Sequence, residues 1–228
     1  MEVYSSLASW WSVLTPLGTY DMEAEFFYAL LGEDIQSVME LGSGIGAMAS
    51  SMPAHVHCIL VDRSEDMLIE SRKRNPKARH ICSCVSNLSI EERVDAVLIH
   101  DAVMYMTTEQ QLKEMMECGY RHLRSGGMIL VVPDVVKEYF SEHSLSGGAE
   151  DGEKSIQLLE WHWDRDASDQ TYQLELSLLM REGSTIRAHH ESHTLGLFSI
   201  SQYTETLESV GFSIVEIEAE GRYFLAKK

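Results

Sequence analysis

The stretch with the clearest chemical potential is a glycine-rich turn, GSGIGA (42–47), which directly follows the apolar run SVMEL. A turn of this kind between a strand and a helix brings a ligand close to bare backbone and offers it unpaired N–H groups. The spacing of Gly42, Gly44 and Ala47 also fits GxGxxA, a pattern typical of dinucleotide sites. The glycines therefore predict a small-molecule site without choosing its ligand.

Two acidic residues near this turn narrow the choice of ligand. Glu40 lies two residues before the first glycine, where its carboxylate would repel a pyrophosphate and attract a cation. S-adenosylmethionine carries a sulfonium and an ammonium group and no phosphate. Asp62, 20 residues after Gly42, is placed to accept hydrogen bonds from the ribose hydroxyls of either cofactor. Glu40 thus favours S-adenosylmethionine over a nicotinamide dinucleotide.

The elements that position these residues alternate in type between residues 37 and 133. Apolar runs separated by amphipathic stretches predict a parallel sheet with crossover helices. The predicted strands are SVMEL (37–41), HCILVD (57–62), RHICSCV (79–85), VDAVLI (94–99) and MILVV (128–132). Helices are expected directly after the glycine turn, after the N-cap Ser64, and over 107–124, where Gly126 and Gly127 end the last one.

A different pattern begins after Pro133. The alternating runs SIQLLEWHW, TYQLELSLLM and STIRAHHESHTLGLF predict antiparallel strands with EGS (182–184) as a tight turn, while LSGGAEDGE is typical of a loop. Ser199 then predicts the start of a helix over 200–210, and a final hairpin turns at Glu220-Gly221. The expected fold class is α/β, a Rossmann-like, seven-stranded, mostly parallel sheet with a C-terminal antiparallel hairpin and an inserted antiparallel β-layer.

We expect one domain over residues 1–228. Residues 1–36 would form a helical cover, residues 37–133 and 199–228 the Rossmann-like core, and residues 134–198 an inserted β lid. The chain has 228 residues, is 44% hydrophobic and carries a net charge of −18, so it can bury a core and would be repelled by nucleic acid and by anionic membranes.

The cysteine pattern bears on the compartment. Four cysteines without a disulfide framework, and an N-terminus that does not look like a signal peptide, favour a cytoplasmic protein. No apolar stretch approaches the roughly 18 residues that would span a bilayer.

Four motifs in order resemble the class I S-adenosylmethionine-dependent methyltransferases. They are VMELGSGIGAMA, ILVDRSEDML, VDAVLIHDAVMYM and LRSGGMILVV, and the resemblance covers roughly residues 35–133 and 199–228. A narrower similarity to small-molecule enzymes of the aminosugar N-methyltransferase type lies in DRSEDML…RNP and HHESHTLGLFSISQYTETLESVGF. The resemblance implies methyl transfer from S-adenosylmethionine to nitrogen or oxygen of a small-molecule metabolite.

The resemblance also implies which residues contact the cofactor. The glycine turn would line its methionine and sulfonium end, Asp62 and Arg63 its ribose, and Tyr20 its carboxylate. The family usually has an Asp at the end of strand 3, but this chain has Ser83-Cys84-Val85, so packing and backbone would contact the adenine. The full predicted set is Tyr20, Glu40, Gly42, Ser43, Gly44, Asp62, Arg63, Met67, Cys84, Val85 and His100.

The acceptor is expected beyond the carboxyl ends of the strands, where the fourth strand delivers His100, Asp101 and Tyr105. Methyl transfer is an in-line displacement, so alignment supplies most of the catalysis, and a base is needed only if the nucleophile must lose a proton. We predict that these three residues line the pocket. The alternatives are that His100 and Asp101 only cap the strand and the next helix, and that Tyr105 only packs.

A histidine-rich strand offers a second possible site. Alternation would put His189, Glu191 and His193 on one face, as metal ligands often are, but most polar residues of a half-exposed strand simply face water. Cys82 and Cys84 also lack two further ligands. We therefore expect no metal, and the resemblance makes His193 a lid residue that faces the acceptor.

Other functions and partners stay open at this point. A nicotinamide-dependent oxidoreductase would use the same glycine turn, and a non-catalytic S-adenosylmethionine-binding protein or scaffold would keep the fold. Methylation of RNA or protein is a third alternative. The negative net charge argues against RNA in particular, because it would repel the phosphate backbone. Exposed edges of the inserted β-layer predict a possible homodimer.

Overall fold

The computed structural model describes residues 1–32 and 34–228, and eleven strands of these residues form two separate sheets. The strands are β1 (Ser37–Leu41), β2 (His57–Asp62), β3 (Arg79–Cys82), β4 (Val94–His100), β5 (Leu123–Val132), β6 (His143–Asp151), β7 (Lys154–Trp163), β8 (Thr171–Glu182), β9 (Thr185–Gly196), β10 (Ser213–Ile217) and β11 (Phe224–Lys227). The larger sheet has seven strands in the order β10-β11-β5-β4-β1-β2-β3, and β6 to β9 form a four-stranded sheet.

The seven-stranded sheet is parallel from β3 to β5 and antiparallel at β11. All five residues of β1 are buried, as expected for a central strand covered on both faces. Because β1, β2, β4 and β5 run in one direction, their carboxyl ends meet at one edge of the sheet, which we call the carboxyl edge. The predicted Rossmann-like sheet with its C-terminal hairpin is confirmed.

Five α-helices in the described part of the chain accompany the sheets, and local caps explain where several begin. They are α1 (Ala8–Leu14), α2 (Asp21–Leu31), α3 (Glu65–Arg74), α4 (Glu109–His122) and α5 (Ile200–Val210). The Ser64 hydroxyl accepts a hydrogen bond from the Met67 amide, as predicted. Ser199 and Gln202 form a reciprocal capping box, and Gly211 ends α5 in the left-handed conformation.

The four-stranded sheet, here called the lid sheet, is antiparallel throughout and confirms the inserted layer. Alternate residues of β8 from Tyr172 to Met180 are buried, so one face of the lid sheet packs on the protein. That face meets the N-terminal segment in a cluster that includes Val3, Val13 and Ile156. The insertion enters and leaves close together, since the Lys137 amide donates to the Phe198 carbonyl at 2.9 Å.

Two expectations in the lid and in the glycine region were wrong. Most of the expected loop LSGGAEDGE lies in β6, because nine consecutive residue pairs with β7 fix the backbone despite two glycines, and only Gly152 and Glu153 form a turn. The glycine turn is not followed by an α-helix, since only the 3-10 turn Ala49–Ser51 forms before Pro53 restricts the chain.

Boundaries differ at two further places. β3 ends at Cys82, and the following residues turn away into a 3-10 turn that begins at Val85. α4 ends at His122 instead of residue 124, and Gly126 and Gly127 lie inside β5, where the register shifts between Val94 and Ala96. No helix within residues 1–32 and 34–228 has both the length and the apolarity needed to cross a bilayer.

Candidate active site

The glycine turn lies at the carboxyl edge and is held by the neighbouring strand. The amides of Gly42 and Ser43 donate to the Val61 carbonyl at 2.8 and 3.0 Å. Gly42 has φ +81°, and a methyl group on its Cα would lie 2.2 Å from the Cβ of Ala102. Only glycine fits this position, because it needs both a left-handed backbone and direct contact with the segment after β4.

Glu40 is a buried acid beneath this turn. It is 5% exposed, and burial raises the pKa of its carboxyl to about 7, with Asp62 adding to the rise and His100 opposing it. A cation bound above the turn would stabilise the ionised form of Glu40. The position therefore suits a sulfonium or ammonium group and is unfavourable for a phosphate.

Asp62 uses its carboxylate to organise the turn. One oxygen accepts the Gly44 amide at 2.8 Å and the other accepts the Ser64 amide at 2.8 Å. Burial raises the pKa of Asp62, and these backbone hydrogen bonds oppose the rise. Since each carboxylate oxygen has a further lone pair, Asp62 retains capacity for the hydroxyls of a ribose.

The fit of S-adenosylmethionine to these residues rests on one unsatisfied group. The buried Ser43 hydroxyl has no hydrogen-bond partner within the described part of the chain, although buried hydroxyls are normally paired. A ligand with charged polar groups at the turn would supply that partner. Together with the acid Glu40 and the bare backbone of Gly42 and Gly44, this makes the site fit the predicted cofactor.

The N-terminal segment closes over the turn. Ala8, Ile45 and Met67 form a buried cluster, and the Ser64 hydroxyl donates to the carbonyl of Tyr4. The residues predicted near the adenine are more open, because Arg63 and Cys84 are exposed and Val85 is half-buried.

His100 connects the donor side with the acceptor side. Its Nε2 lies 3.4 Å from the Glu23 carboxylate and 3.3 Å from that of Asp101, and the ring of Tyr20 packs edge-on against the imidazole at 5.5 Å. Burial and the nearby Asp101 raise the pKa of Tyr20 to about 12, so its hydroxyl is a donor at neutral pH. The structure thus brings Tyr20, His100 and Asp101 together.

Tyr105 is the centre of a hydrogen-bonded chain. Its hydroxyl lies 2.6 Å from the hydroxyl of Tyr4 and 2.9 Å from Nδ1 of His193, whose Nε2 is 2.9 Å from Glu191. The other oxygen of Glu191 accepts the amides of Glu2 and Val3. Burial raises the pKa of Tyr105 far above its ordinary value. This chain, here called the tyrosine latch, joins the N-terminal segment to the lid sheet.

Glu191 also accounts for the histidine-rich strand. His189, Glu191 and His193 share one face as expected, and both imidazoles contact the Glu191 carboxylate, at 3.1 and 2.9 Å. Within the described ranges, no group of three or more potential metal ligands has an arrangement that would hold an ion.

The acceptor side is strongly acidic. Glu23 from α2, Asp101 after β4, Asp134 after β5 and Glu160 from β7 act electrostatically on one another or on shared tyrosines. We call the region around these four carboxyl groups the acidic cleft. The sequence interpretation missed Asp134, although its position just after the fifth strand, in Pro133-Asp134, was an available signal.

Comparison with known proteins agrees with this geometry. Residues 38–127 match the family model of the methyltransferase domain. The matched segment is 90 of the 228 residues and holds the glycine turn, Asp62 and His100. The predicted resemblance to the class I enzymes is thereby confirmed, as is the interpretation of the chain as a methyltransferase, and S-adenosylmethionine is the methyl donor of that class.

Individual relatives are distant but cover much of the chain. DesVI of Streptomyces venezuelae has a TM-score of 0.85 at 19% identity, with 97% of each chain covered. CalS10 of Micromonospora echinaspora, an amino pentose methyltransferase solved with S-adenosylmethionine bound, has a TM-score of 0.74 at 19% identity over 90% of this chain and 88% of CalS10.

A curated relative is a dTDP-3-amino-3,6-dideoxy-alpha-D-glucopyranose N,N-dimethyltransferase of Streptomyces fradiae. It is 23% identical over 68% of this chain and 60% of its own length.

Proposed function

We propose that this protein transfers a methyl group from S-adenosylmethionine to an amine nitrogen of a small, sugar-like molecule. The acidic cleft is the observation that carries the proposal. It places four carboxyl groups from separate elements beside the donor turn, and such a site attracts a protonated amine. An alcohol or a phosphorylated acceptor would gain nothing from this field.

The relatives support the same choice. One is an amino pentose methyltransferase and another is an aminosugar N,N-dimethyltransferase. The acceptor of the second relative is a dTDP-linked sugar, but a diphosphate would be repelled by the acids of the cleft in this protein, so we favour an amine without phosphate groups and expect the two proteins to differ in this respect.

The predicted residues take the following roles in this proposal. Glu40 pairs with the positive charge of the donor, the glycine turn seats its methionine end and Asp62 accepts its ribose hydroxyls. His100 and Asp101 line the acceptor side, and Tyr105 and His193 fix the wall of the cleft through the tyrosine latch. S-adenosylmethionine supplies an activated methyl group, so alignment by these residues contributes most of the catalysis.

The rival functions lack comparable support. A nicotinamide dinucleotide would place its pyrophosphate close to the buried Glu40, and a titration with NADH that shows no binding is the expected result. A non-catalytic protein is the other rival, and turnover to S-adenosylhomocysteine with any acceptor would exclude it.

The test is a matched screen of acceptors. Purified protein and S-adenosylmethionine are incubated with amino sugars and with the same sugars bearing a hydroxyl in place of the amine, and S-adenosylhomocysteine is measured. We expect turnover with amines only. Turnover with the hydroxyl series, or preference for nucleotide-linked over phosphate-free amino sugars, would contradict the proposal.

We also propose a homodimer through the lid sheet. The strands β6 and β9 are its edges, and its outer face exposes Leu159, Trp161, Leu179 and Ile186. Light scattering should give twice the 25.8 kDa of one chain, and Trp161→Lys should reduce the mass to that of a monomer. A wild-type mass of one chain at micromolar concentration would contradict this.

A further inference from the structure

The carboxyl groups of Asp101 and Asp134 lie next to each other, although two ionised carboxylates would repel. They follow neighbouring strands at the carboxyl edge, where His100 is in register with Val132 and the Asp101 amide donates to the Val132 carbonyl at 2.9 Å. Their side chains are in hydrogen-bond contact. Two ionised carboxylates at this separation repel each other, and a proton on one of them turns the repulsion into a hydrogen bond.

The surroundings keep the two groups from ionising together. Limited hydration and the proximity of Asp101 raise the pKa of Asp134 well above its ordinary value, while His100 and His162 oppose the rise. Limited hydration raises the pKa of Asp101 to about 6, the hydrogen bond with Asp134 opposes the rise, and Glu23 and Glu40 add to it. The remaining titratable groups that interact with the pair are the tyrosines Tyr4, Tyr20, Tyr105, Tyr172 and Tyr203.

The pair is nevertheless accessible to a ligand. The side chain of Asp101 is 48% exposed, and Asp134 is also exposed to the cleft. Asp101 has φ +56°, a strained conformation for a residue with a side chain, and such strain often marks functional positions. The fold thus presents the carboxyl pair to the cleft at an energetic cost.

An unpartnered hydroxyl beside the pair indicates that a ligand is missing. Tyr172 is fully buried, and its hydroxyl has no hydrogen-bond partner within residues 1–32 and 34–228. Burial raises the pKa of Tyr172 far above its ordinary value, and the nearby Asp134, Glu160 and Asp101 add to the rise, so the hydroxyl lies among the acids of the cleft. A polar acceptor molecule would satisfy it.

We propose that Asp101 and Asp134 share one proton in the free enzyme, bind the ammonium group of the acceptor in place of that proton, and then remove a proton from the ammonium group. The inference rests on the proposed function, and it adds Asp134 as a catalytic residue. The proton displaced on binding goes to solvent, and the fully ionised pair can then accept a proton from the ammonium group.

The proton and electron balance is complete. One N–H bond of the ammonium group breaks, its electron pair stays on nitrogen and its proton returns to the carboxyl pair. The nitrogen lone pair then forms the new N–C bond, while the carbon–sulfur bond of the donor breaks and its electrons go to sulfur. The methylated ammonium ion leaves, and the pair is again singly protonated.

The first test measures the protonation of Asp101 and Asp134 in the absence of any ligand. In protein labelled with ¹³C at the aspartate carboxyl carbons, Asp134 should titrate well above the range of an ordinary aspartate. Asp134→Asn removes this titration but keeps a hydrogen-bond donor beside Asp101, so it should leave the pKa of Asp101 raised. Ionisation of both carboxyl groups below pH 5 would overturn the shared proton. Asp151→Asn, in exposed β6, is the matched control, and it should leave both signals unchanged.

The second test uses an amine accepted in the matched screen. Asp134→Asn should lower kcat about 10²-fold or more at pH 7, and activity should recover roughly tenfold per pH unit as the free amine becomes available. An unchanged kcat and pH profile would overturn the role as base. If the wild-type protein methylates no amine, the proposed function and the proposed proton transfer are both wrong. The ¹³C titration of the two carboxyl groups would still show whether they share a proton.

Discussion

On the donor side, one turn and the ends of two adjacent strands supply the acid, the backbone groups and the ribose partner. On the acceptor side, the carboxyl groups of the acidic cleft come from α2, β4, β5 and β7, and the tyrosine latch adds the N-terminal segment and β9. The donor side is thus made largely of backbone that only a few residue types permit. The acceptor side is made of side chains that can change one at a time, so the fold fixes the methyl donor, and single residues at the carboxyl edge and in the lid sheet decide the acceptor.

Gly42→Ala is the most severe way to break the donor side. The added methyl group would overlap Ala102 and the backbone would be strained at φ +81°, so we expect kcat/KM to fall about 10²-fold or more. Calorimetry of S-adenosylhomocysteine binding is the measurement, and it should show a matching loss of affinity. Adding Ala102→Gly should restore part of the affinity, because it removes the overlap but leaves the strain.

The control for that variant is Gly147→Ala in β6, where a methyl group would meet no atom within 4 Å. It should bind like wild type. If Gly42→Ala did so as well, the steric account of the turn would fail.

Glu40→Gln removes the negative charge of the donor site while keeping nearly the same side-chain shape, so it tests how much the charge contributes to cofactor binding. Loss of a buried partner for a cation costs about 2–5 kcal/mol, so S-adenosylmethionine should bind at least about 30-fold more weakly at pH 8. Because the pKa of Glu40 is about 7, wild-type affinity should also fall as the pH drops below 7. The variant should lack this dependence, and a persistent one would assign it to another group.

The same residue should make the free protein less stable as the pH rises. The pKa of Glu40 is higher in the folded than in the unfolded state, so the folded protein holds an extra proton between about pH 4.5 and 7, and stability is lost across that range. At pH 8, Glu40→Gln should therefore raise the free energy of unfolding by about 3 kcal/mol. Urea unfolding at pH 5 and pH 8 would show whether the difference between variant and wild type appears only at the higher pH.

Much of the donor side was predictable because its determinants are local. Glu40, the glycines and Asp62 lie on consecutive elements, and their spacing alone placed them at one edge. The acceptor side was predictable only in part, since His100 and Asp101 follow a strand whose end is visible in the pattern. Asp134 was missed because a single acid after a strand is common, and its significance depends on contact with Asp101.

The contacts of Tyr105 also could not be predicted from local sequence. The hydroxyl of Tyr105 meets Tyr4 and His193, which are 101 and 88 residues away in the chain. No spacing rule connects such positions, and the β6 strand was likewise recognisable only from its pairing with β7. Long-range packing decides these features, and sequence periodicity reports only local preference.

Glu191→Gln tests the tyrosine latch separately from the donor turn, because it weakens the latch and leaves the residues of the turn unchanged. Weaker hydrogen bonds to the Glu2 and Val3 amides should release the N-terminal segment and speed S-adenosylhomocysteine dissociation about tenfold. Stopped-flow dissociation is the measurement. Glu175→Gln, which loses bonds to His190 and Ser192 on the outer face of the lid sheet, should dissociate at the wild-type rate.

Tyr172→Phe should have the smallest effect and should confine it to the acceptor side. The hydroxyl is buried without a partner, so its removal should leave stability unchanged or raise it by up to about 1 kcal/mol. The KM for the amine should rise about threefold, with donor affinity unaltered. Tyr120→Phe, whose ring packs on Phe212, should change neither constant, and equal effects from both would remove Tyr172 from the cleft.

The hydrogen bond between Lys137 and Phe198 has an evolutionary consequence. Because the chain departs from and returns to the core at nearly one point, the 60 residues between them form a cassette whose exchange leaves the glycine turn and its strands in place. Grafting the corresponding segment of another enzyme between these two positions would be a direct route to new acceptors, provided that the graft keeps the bonds of Glu191 to the N-terminal segment.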